Sequence, residues 1–236
     1  MRTKTSAAFT LVEMLVVISI IAVIAALAFP AISGAVTRSQ MTQAVSNGRQ
    51  IYLATFSMAN DGSTTGDPRY GWPGDLATST DANVKVTTVA DFVQRLVDND
   101  YFKAGDLKVF ATSGITPWAG SYTAPADANS KGALNPAFDG TKNSAFKIYK
   151  VTDKDGGNAI FLATKNFTYA SNSATAINTT ASPFGDKGFV VIHKGGDGAA
   201  FKKQQATSKS LLGVMPGTGD SANPPDESST SILTQQ

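Results

Sequence analysis

Glu13 is the residue whose setting most needs a chemical explanation. It sits at the head of an apolar run, Met14 to Thr37, that holds no charged residue, directly behind Phe9-Thr10-Leu11-Val12. A carboxylate beside so much hydrocarbon is costly unless it finds a partner, which makes it a functional residue by default. Other chemistry is sparse. The chain has one histidine, His193, and nothing near it in sequence completes a triad or metal cluster. There is no cysteine, which excludes disulfides, thiolate metal sites and Cys nucleophiles. No P-loop, dinucleotide fingerprint or HExxH pair occurs. Asp153-x-Asp155-Gly156-Gly157-Asn158 has the look of a calcium loop, but it lacks the third carboxylate and the closing Glu, so it reads as a hairpin turn. Asn166-Phe167-Thr168 and Asn178-Thr179-Thr180 fit the glycosylation acceptor pattern.

The elements that position Glu13 follow from the run behind it. Met14 to Thr37 is about 24 residues, or roughly 36 Å of helix, enough to cross a hydrocarbon core of about 30 Å. Ser19 and Ser33 can bond back to the helix carbonyls and so do not oppose insertion. Arg2 and Lys4 precede the run, which keeps the N-terminus cytoplasmic and exports the rest. Pro30 lies inside the run and removes one helix hydrogen bond, to Ala26. Apolar residues make up 42% of the 236, and the mean hydropathy of −0.06 averages this greasy segment with a polar remainder. Formal charge is +2; without Arg2 and Lys4, 18 basic residues face 18 acidic ones. A neutral chain does not suit nucleic-acid binding, and no nucleic acid is expected as a partner.

The stretch Ala8-Phe9-Thr10-Leu11-Val12-Glu13-Met14-Leu15-Val16-Val17-Ile18 resembles the processing and methylation motif of the type IV pilin and type II secretion pseudopilin family. The resemblance covers about 30 N-terminal residues. It implies that a prepilin peptidase cuts between Ala8 and Phe9 and methylates the new amine, with residues 1–8 as leader. It also makes Glu13 and Pro30 the assembly residues. Ala8 departs from the glycine usual before the cut, and Ala22 to Phe29 lacks the glycine common in the family's helix. In a filament, the free amine of Phe9 on a neighbouring subunit would pair with Glu13 and set axial register, a use to which buried polar groups are put.

Residues 9–37 are therefore expected to form a transmembrane and assembly helix, continued amphipathically over 38–60. Met41, Ala44, Val45, Gly48, Ile51, Tyr52, Thr55, Met58 and Ala59 recur at helical spacing, and Asn60-Asp61-Gly62 is expected to end the helix. Residues 61–212 are expected to form a pilin-like head. In it, Trp72 pins a Gly/Pro-rich connection, Val89 to Phe102 forms a short helix, and Ala145–Val151, Ala159–Thr164 and Gly188–His193 form strands. The fold class is α+β, a long helix on a small antiparallel sheet. Residues 213–236, polar and Pro/Ser-rich, are expected to be a disordered tail.

The function implied by the resemblance is a structural subunit of a pilus or secretion pseudopilus, not an enzyme, held in the inner membrane with its head in the periplasm before assembly. Its partners would be prepilin peptidase and other pilin or pseudopilin subunits. No cofactor is required. Some relatives bind calcium in a C-terminal loop, for which Asp186, Asp197 and Asp220 are the acids to test. Two alternatives stand beside this reading. One is an exported binding or adhesion domain that uses the helix only as an anchor. The other is a signal peptide cut after Ala26-Leu27-Ala28, against which Glu13 and the length of the run argue.

Overall fold

The computed structural model describes residues 10–127, 130–170, 176–207, 209–217, 226–228 and 230–236, the side chains of Lys209 and Ser210 excepted. The leader 1–8 and Phe9 lie outside these residues. Helix α1, Leu11–Thr65, is 55 residues long and is shared by two units, one ending at Ser39 and one beginning at Gln40.

In the first unit every large apolar side chain from Leu11 to Val36 is exposed, Leu27 and Phe29 by 75% and 74%. The helix is long and apolar enough to cross a membrane. Its hydroxyls are satisfied locally: Ser19 donates to the Val16 carbonyl at 2.7 Å, Ser33 to Pro30 at 3.3 Å and Thr37 to Ser33 at 3.0 Å. α1 continues through Pro30.

In the second unit α1 is amphipathic. Met41, Ala44, Gly48, Ile51, Thr55, Met58 and Ala59 are buried, while Leu53 and Phe56 face outward. Gly48 lets the helix come close to the sheet, because a Cβ there would sit 2.6 Å from Ile192 Cγ1. The helix does not end at Asn60-Asp61-Gly62 as the sequence suggests. It runs on to Thr65 and stops where Gly66 takes φ +69° and its N–H returns to the Gly62 carbonyl at 2.8 Å. Gly62 serves contact rather than termination: a Cβ there would run into the Tyr70 carbonyl oxygen.

The returning chain forms α2, Pro73–Ala77, and is fixed by Trp72, which is 4% exposed and stands edge-on to Phe161 at 5.7 Å. Helix α3, Val89–Asp98, opens with a reciprocal cap between Thr88 and Asp91 and buries Val89, Phe92, Val93, Leu96 and Val97. It ends before the expected Phe102, at a turn where Asp100 has φ 59°. Two three-residue strands, β1 (Ser121–Thr123) and β2 (Ala133–Asn135), pair antiparallel. They are too short to show an alternating pattern, so nothing in the sequence announces them.

The main sheet is antiparallel, in the order β3 (Phe146–Ile148), β4 (Ile160–Thr164), β5 (Phe189–His193), β6 (Gly198–Phe201). β3, β4 and β5 are buried on both faces. Phe146, Ile148, Phe161, Val190 and Ile192 join the core that includes α1 and α3 residues. Ile160, Ala163, Phe189 and Val191 join a second core with Phe167, Tyr169, Leu212 and Met215. A register irregularity between Ile160 and Leu162 allows Phe161 and Leu162, neighbours in sequence, to share the first core.

The described part of 213–236 corrects the expectation of a disordered tail. Val214 bridges Ala159, Ile232 bridges Tyr149, and Thr234 bridges Thr88. The Leu233 N–H donates to the Ile148 carbonyl at 2.9 Å, and its side chain is 0% exposed. The C-terminal segment thus covers the free edge of β3, where unpaired backbone groups would otherwise remain.

Candidate functional site

At the N-terminus the structure gives Glu13 a local partner that sequence reading missed. The Thr10 backbone N–H and hydroxyl both donate to Glu13 Oε2 at 2.8 Å, and the Glu13 N–H donates to Thr10 Oγ1 at 3.2 Å. This is a reciprocal capping box, Thr-x-x-Glu, that satisfies donors left open at the start of α1. The signal was present as Thr10-Leu11-Val12-Glu13. The carboxylate therefore has a partner within its own chain, made through Oε2. Pro30 lies within the same exposed half of α1, and Ala8 and Phe9 lie outside the described residues.

In the head, charged groups mainly hold the fold. Lys147, on β3 and 7% exposed, donates to Glu227 Oε1 at 2.5 Å and to Thr168 Oγ1 at 3.3 Å. Glu227 Oε2 accepts from the Tyr149 hydroxyl and from the Tyr169 N–H at 3.2 Å. Burial pushes the Lys147 ammonium down, with Glu227 opposing it, and pushes the Tyr149 hydroxyl well up. Lys165 Nζ donates to the carbonyls of Gly140 and, at 2.8 Å, Thr141, in the turn of helix α4 (Gly140–Asn143). Burial brings it down to about 8.

His193 is 7% exposed, with Nδ1 2.6 Å from Asp197 Oδ2 and Nε2 2.7 Å from the Leu212 carbonyl, so both ring nitrogens face acceptors and no nucleophile. Asp197 is thereby engaged, Asp186 is an exposed turn residue, and Asp220 lies outside the described residues. Among the described residues no three acidic or histidine side chains gather in a way that would hold a metal. Asp155 closes its own turn by accepting from Thr152 N at 2.7 Å and Gly217 N at 2.6 Å. Asn166 is 0% exposed and its amide donates to the carbonyls of Gly185 and Gly188, so it is a core residue and not a glycan acceptor.

Comparison with known proteins agrees with the N-terminal geometry. A profile for the prokaryotic N-terminal methylation motif matches residues 3–29. A type IV major fimbrial protein, FimA, of Dichelobacter nodosus is 35% identical over 66 residues, which is 28% of this chain and 42% of that protein. The chain thus spans under half of that relative's length. No solved structure matches it.

Proposed function

We propose that this chain, a type IV pilin-like protein whose N-terminal segment belongs to the type IV pilin and pseudopilin family, is a filament subunit processed before Phe9, methylated there, and assembled through α1. The observation that carries the reading is the conjunction, within one helix, of the methylation motif, a carboxylate at its start and an unbroken exposed apolar surface from Leu11 to Val36. Such a surface needs either lipid or neighbouring copies to cover it. Glu13 is the residue for which the two covers differ. In lipid the capping box suffices, whereas between copies its charge meets the processed amine of Phe9. Before assembly the helix holds the chain in the inner membrane; afterwards it lies in the filament. A pilus and a secretion pseudopilus would use the same helix in this way.

Two measurements test the proposal. Mass spectrometry of the mature chain is expected to find N-methyl-Phe9 as the first residue; a start at Phe29 would refute processing at the motif. Filament incorporation is then compared for Glu13→Ala and Glu13→Gln. Glutamine keeps the capping box, since Gln serves at that position as Glu does, but removes the charge. Assembly through the charge predicts that both variants fail to enter filaments while remaining in the membrane. If Glu13→Gln incorporates normally and only Glu13→Ala fails, Glu13 acts as a helix cap alone and the assembly role is wrong.

A further inference from the structure

Arg95 projects from the buried face of α3, between Phe92 and Leu96, and is 8% exposed. A guanidinium offers five N–H donors and is never discharged in a protein. Here one Nη donates to the Asn83 carbonyl, and among the described residues no carboxylate lies within ion-pair distance of it. The carboxylates around it are engaged elsewhere. Asp67 is held by the fork of Arg69, at 3.0 Å to Nε and 2.6 Å to Nη2. Asp98 accepts from Gln94, Tyr122 and the Gly132 N–H at 2.6, 2.9 and 3.3 Å. Asp91 is the capping residue of α3, and Asp81 closes a turn on the Asn83 N–H at 2.8 Å. Leaving a cation this buried without a counter-charge is unfavourable, and proteins seldom do so without a use for it.

The remaining donors of Arg95 have somewhere to point. Arg95 lines a cavity of about 290 Å³ whose rim carries Asp67, Arg69, Asp81, Asn83 and Ser130. Desolvation is the main influence on its charge, with Asp98 the foremost of several acids acting from a distance and Arg69 opposing them. On the rim, Arg69 and Asp67 cancel each other, which leaves Arg95 inside and the exposed Asp81 carboxylate at the mouth. A site with a donor-only cation in its depth and an acceptor at its lip selects a ligand with the opposite order of groups.

We infer that this cavity is a binding site for a small carboxylate that also carries hydroxyl or ammonium donors, with its carboxylate on Arg95 and its donors on Asp81. The volume suits one monosaccharide or one amino acid and not a longer ligand. A hexuronate and a free amino acid share this chemistry, the first offering hydroxyls to Asp81 and the second an ammonium.

The test is a titration of the full chain in detergent, labelled with ¹⁵N-arginine, in which the Nε–H resonance of Arg95 is followed by NMR. The probes are D-glucuronate, L-serine and, as a carboxylate-free control, D-glucose. Saturable shifts with a dissociation constant near or below roughly 1 mM for glucuronate or serine, but not glucose, are expected, and the tighter of the two identifies the source. Asp81→Asn, on the exposed rim, is expected to weaken that ligand about tenfold, and Arg95→Lys to weaken it further. The unmodified chain suffices to overturn the inference, whatever the folding of Arg95→Lys. An Arg95 resonance unmoved by either acid would do so, as would an equal response to glucose or unchanged affinity in Asp81→Asn.

Discussion

Replacing Glu227 with Gln isolates the electrostatic part of the contact that ties the C-terminal segment to the sheet. A glutamine there would retain an oxygen for the Tyr149 hydroxyl and the Tyr169 N–H, and the side chain keeps its shape. What is lost is the charge facing Lys147 at 2.5 Å, in a setting where both partners are under a tenth exposed. Removing one partner of such a pair typically costs about 3–5 kcal/mol. An upper bound comes from the lysine itself, which can always shed its proton. Discharging an amine of ordinary pKa about 10.4 at pH 7 costs about 4.6 kcal/mol, and no penalty for stranding the charge can exceed that. The expected loss at pH 7 is therefore about 3–4.6 kcal/mol, a large part of the roughly 5–15 kcal/mol that holds a domain together.

The same reasoning fixes a pH signature. In Glu227→Gln the folded chain releases the Lys147 proton at a lower pH than the unfolded chain, so once Lys147 is neutral in the fold, stability relative to the unmodified protein recovers as pH rises. The slope is about 1.4 kcal/mol per pH unit up to the ordinary lysine range. The assay is urea unfolding of the full chain in detergent at pH 7, 8 and 9, followed through the buried Trp72 and Trp118. Adding Lys147→Met to Glu227→Gln removes the stranded charge and is expected to restore most of the loss, since apolar replacements of buried pairs are often neutral or better. A deficit below about 1 kcal/mol, or one that neither shrinks toward pH 9 nor responds to Lys147→Met, would refute the argument, because the pair would then be well solvated.

Leu233→Ala removes a fully buried side chain from the segment covering β3 and is expected to lower stability by about 2–5 kcal/mol, read as a shift in the urea midpoint. Gly48→Val forces a branched Cβ against Ile192 and is expected to cost about 1–3 kcal/mol, whereas a solvent-facing substitution at Asn60 leaves the midpoint in place. The unmodified protein is expected to gain stability from pH 8 toward 10. Lys165 has lost its proton in the folded state near 8, while the unfolded chain keeps it to the ordinary lysine range, so the unfolded state binds more protons across that window. Above about 10 the sign reverses, because burial and acidic neighbours hold the Tyr101, Tyr122 and Tyr149 hydroxyls protonated in the fold after the unfolded chain has released them. Stability falling steadily from pH 8 would contradict the depressed Lys165.

The parts of this protein legible in its sequence are those whose cause is local. The apolar run and the helical stripe from Met41 to Ala59 each declare themselves within a few residues, because a helix brings positions three and four apart together. The partner of Lys147 is 80 residues away in a segment whose Pro and Ser content argues for disorder. Composition measures whether a stretch can build its own core, and residues 226–228 and 230–236 need not, since they borrow the edge and the interior of the sheet. The helix end eludes the sequence for a related reason. Asn60-Asp61-Gly62 has the composition of a stop, but Gly62 answers to the Tyr70 carbonyl leaning on it from across the turn, and the left-handed residue that does stop the helix comes four positions later.

Glu13 shows how a local reading can be incomplete. Its position at the start of an apolar run argues for a partner in another chain, and the structure supplies one three residues away in its own. The proposed partner and the observed one would be compatible, because they make different demands on the residue. A cap needs an oxygen at the right reach, and Gln provides it, whereas pairing with a neighbouring amine needs the negative charge. A chain that required only a stable helix start could carry either residue at position 13. Under the proposed assembly the charge matters beyond the hydrogen bonds, and the comparison of Gln with Ala at this one position separates an anchor from a subunit.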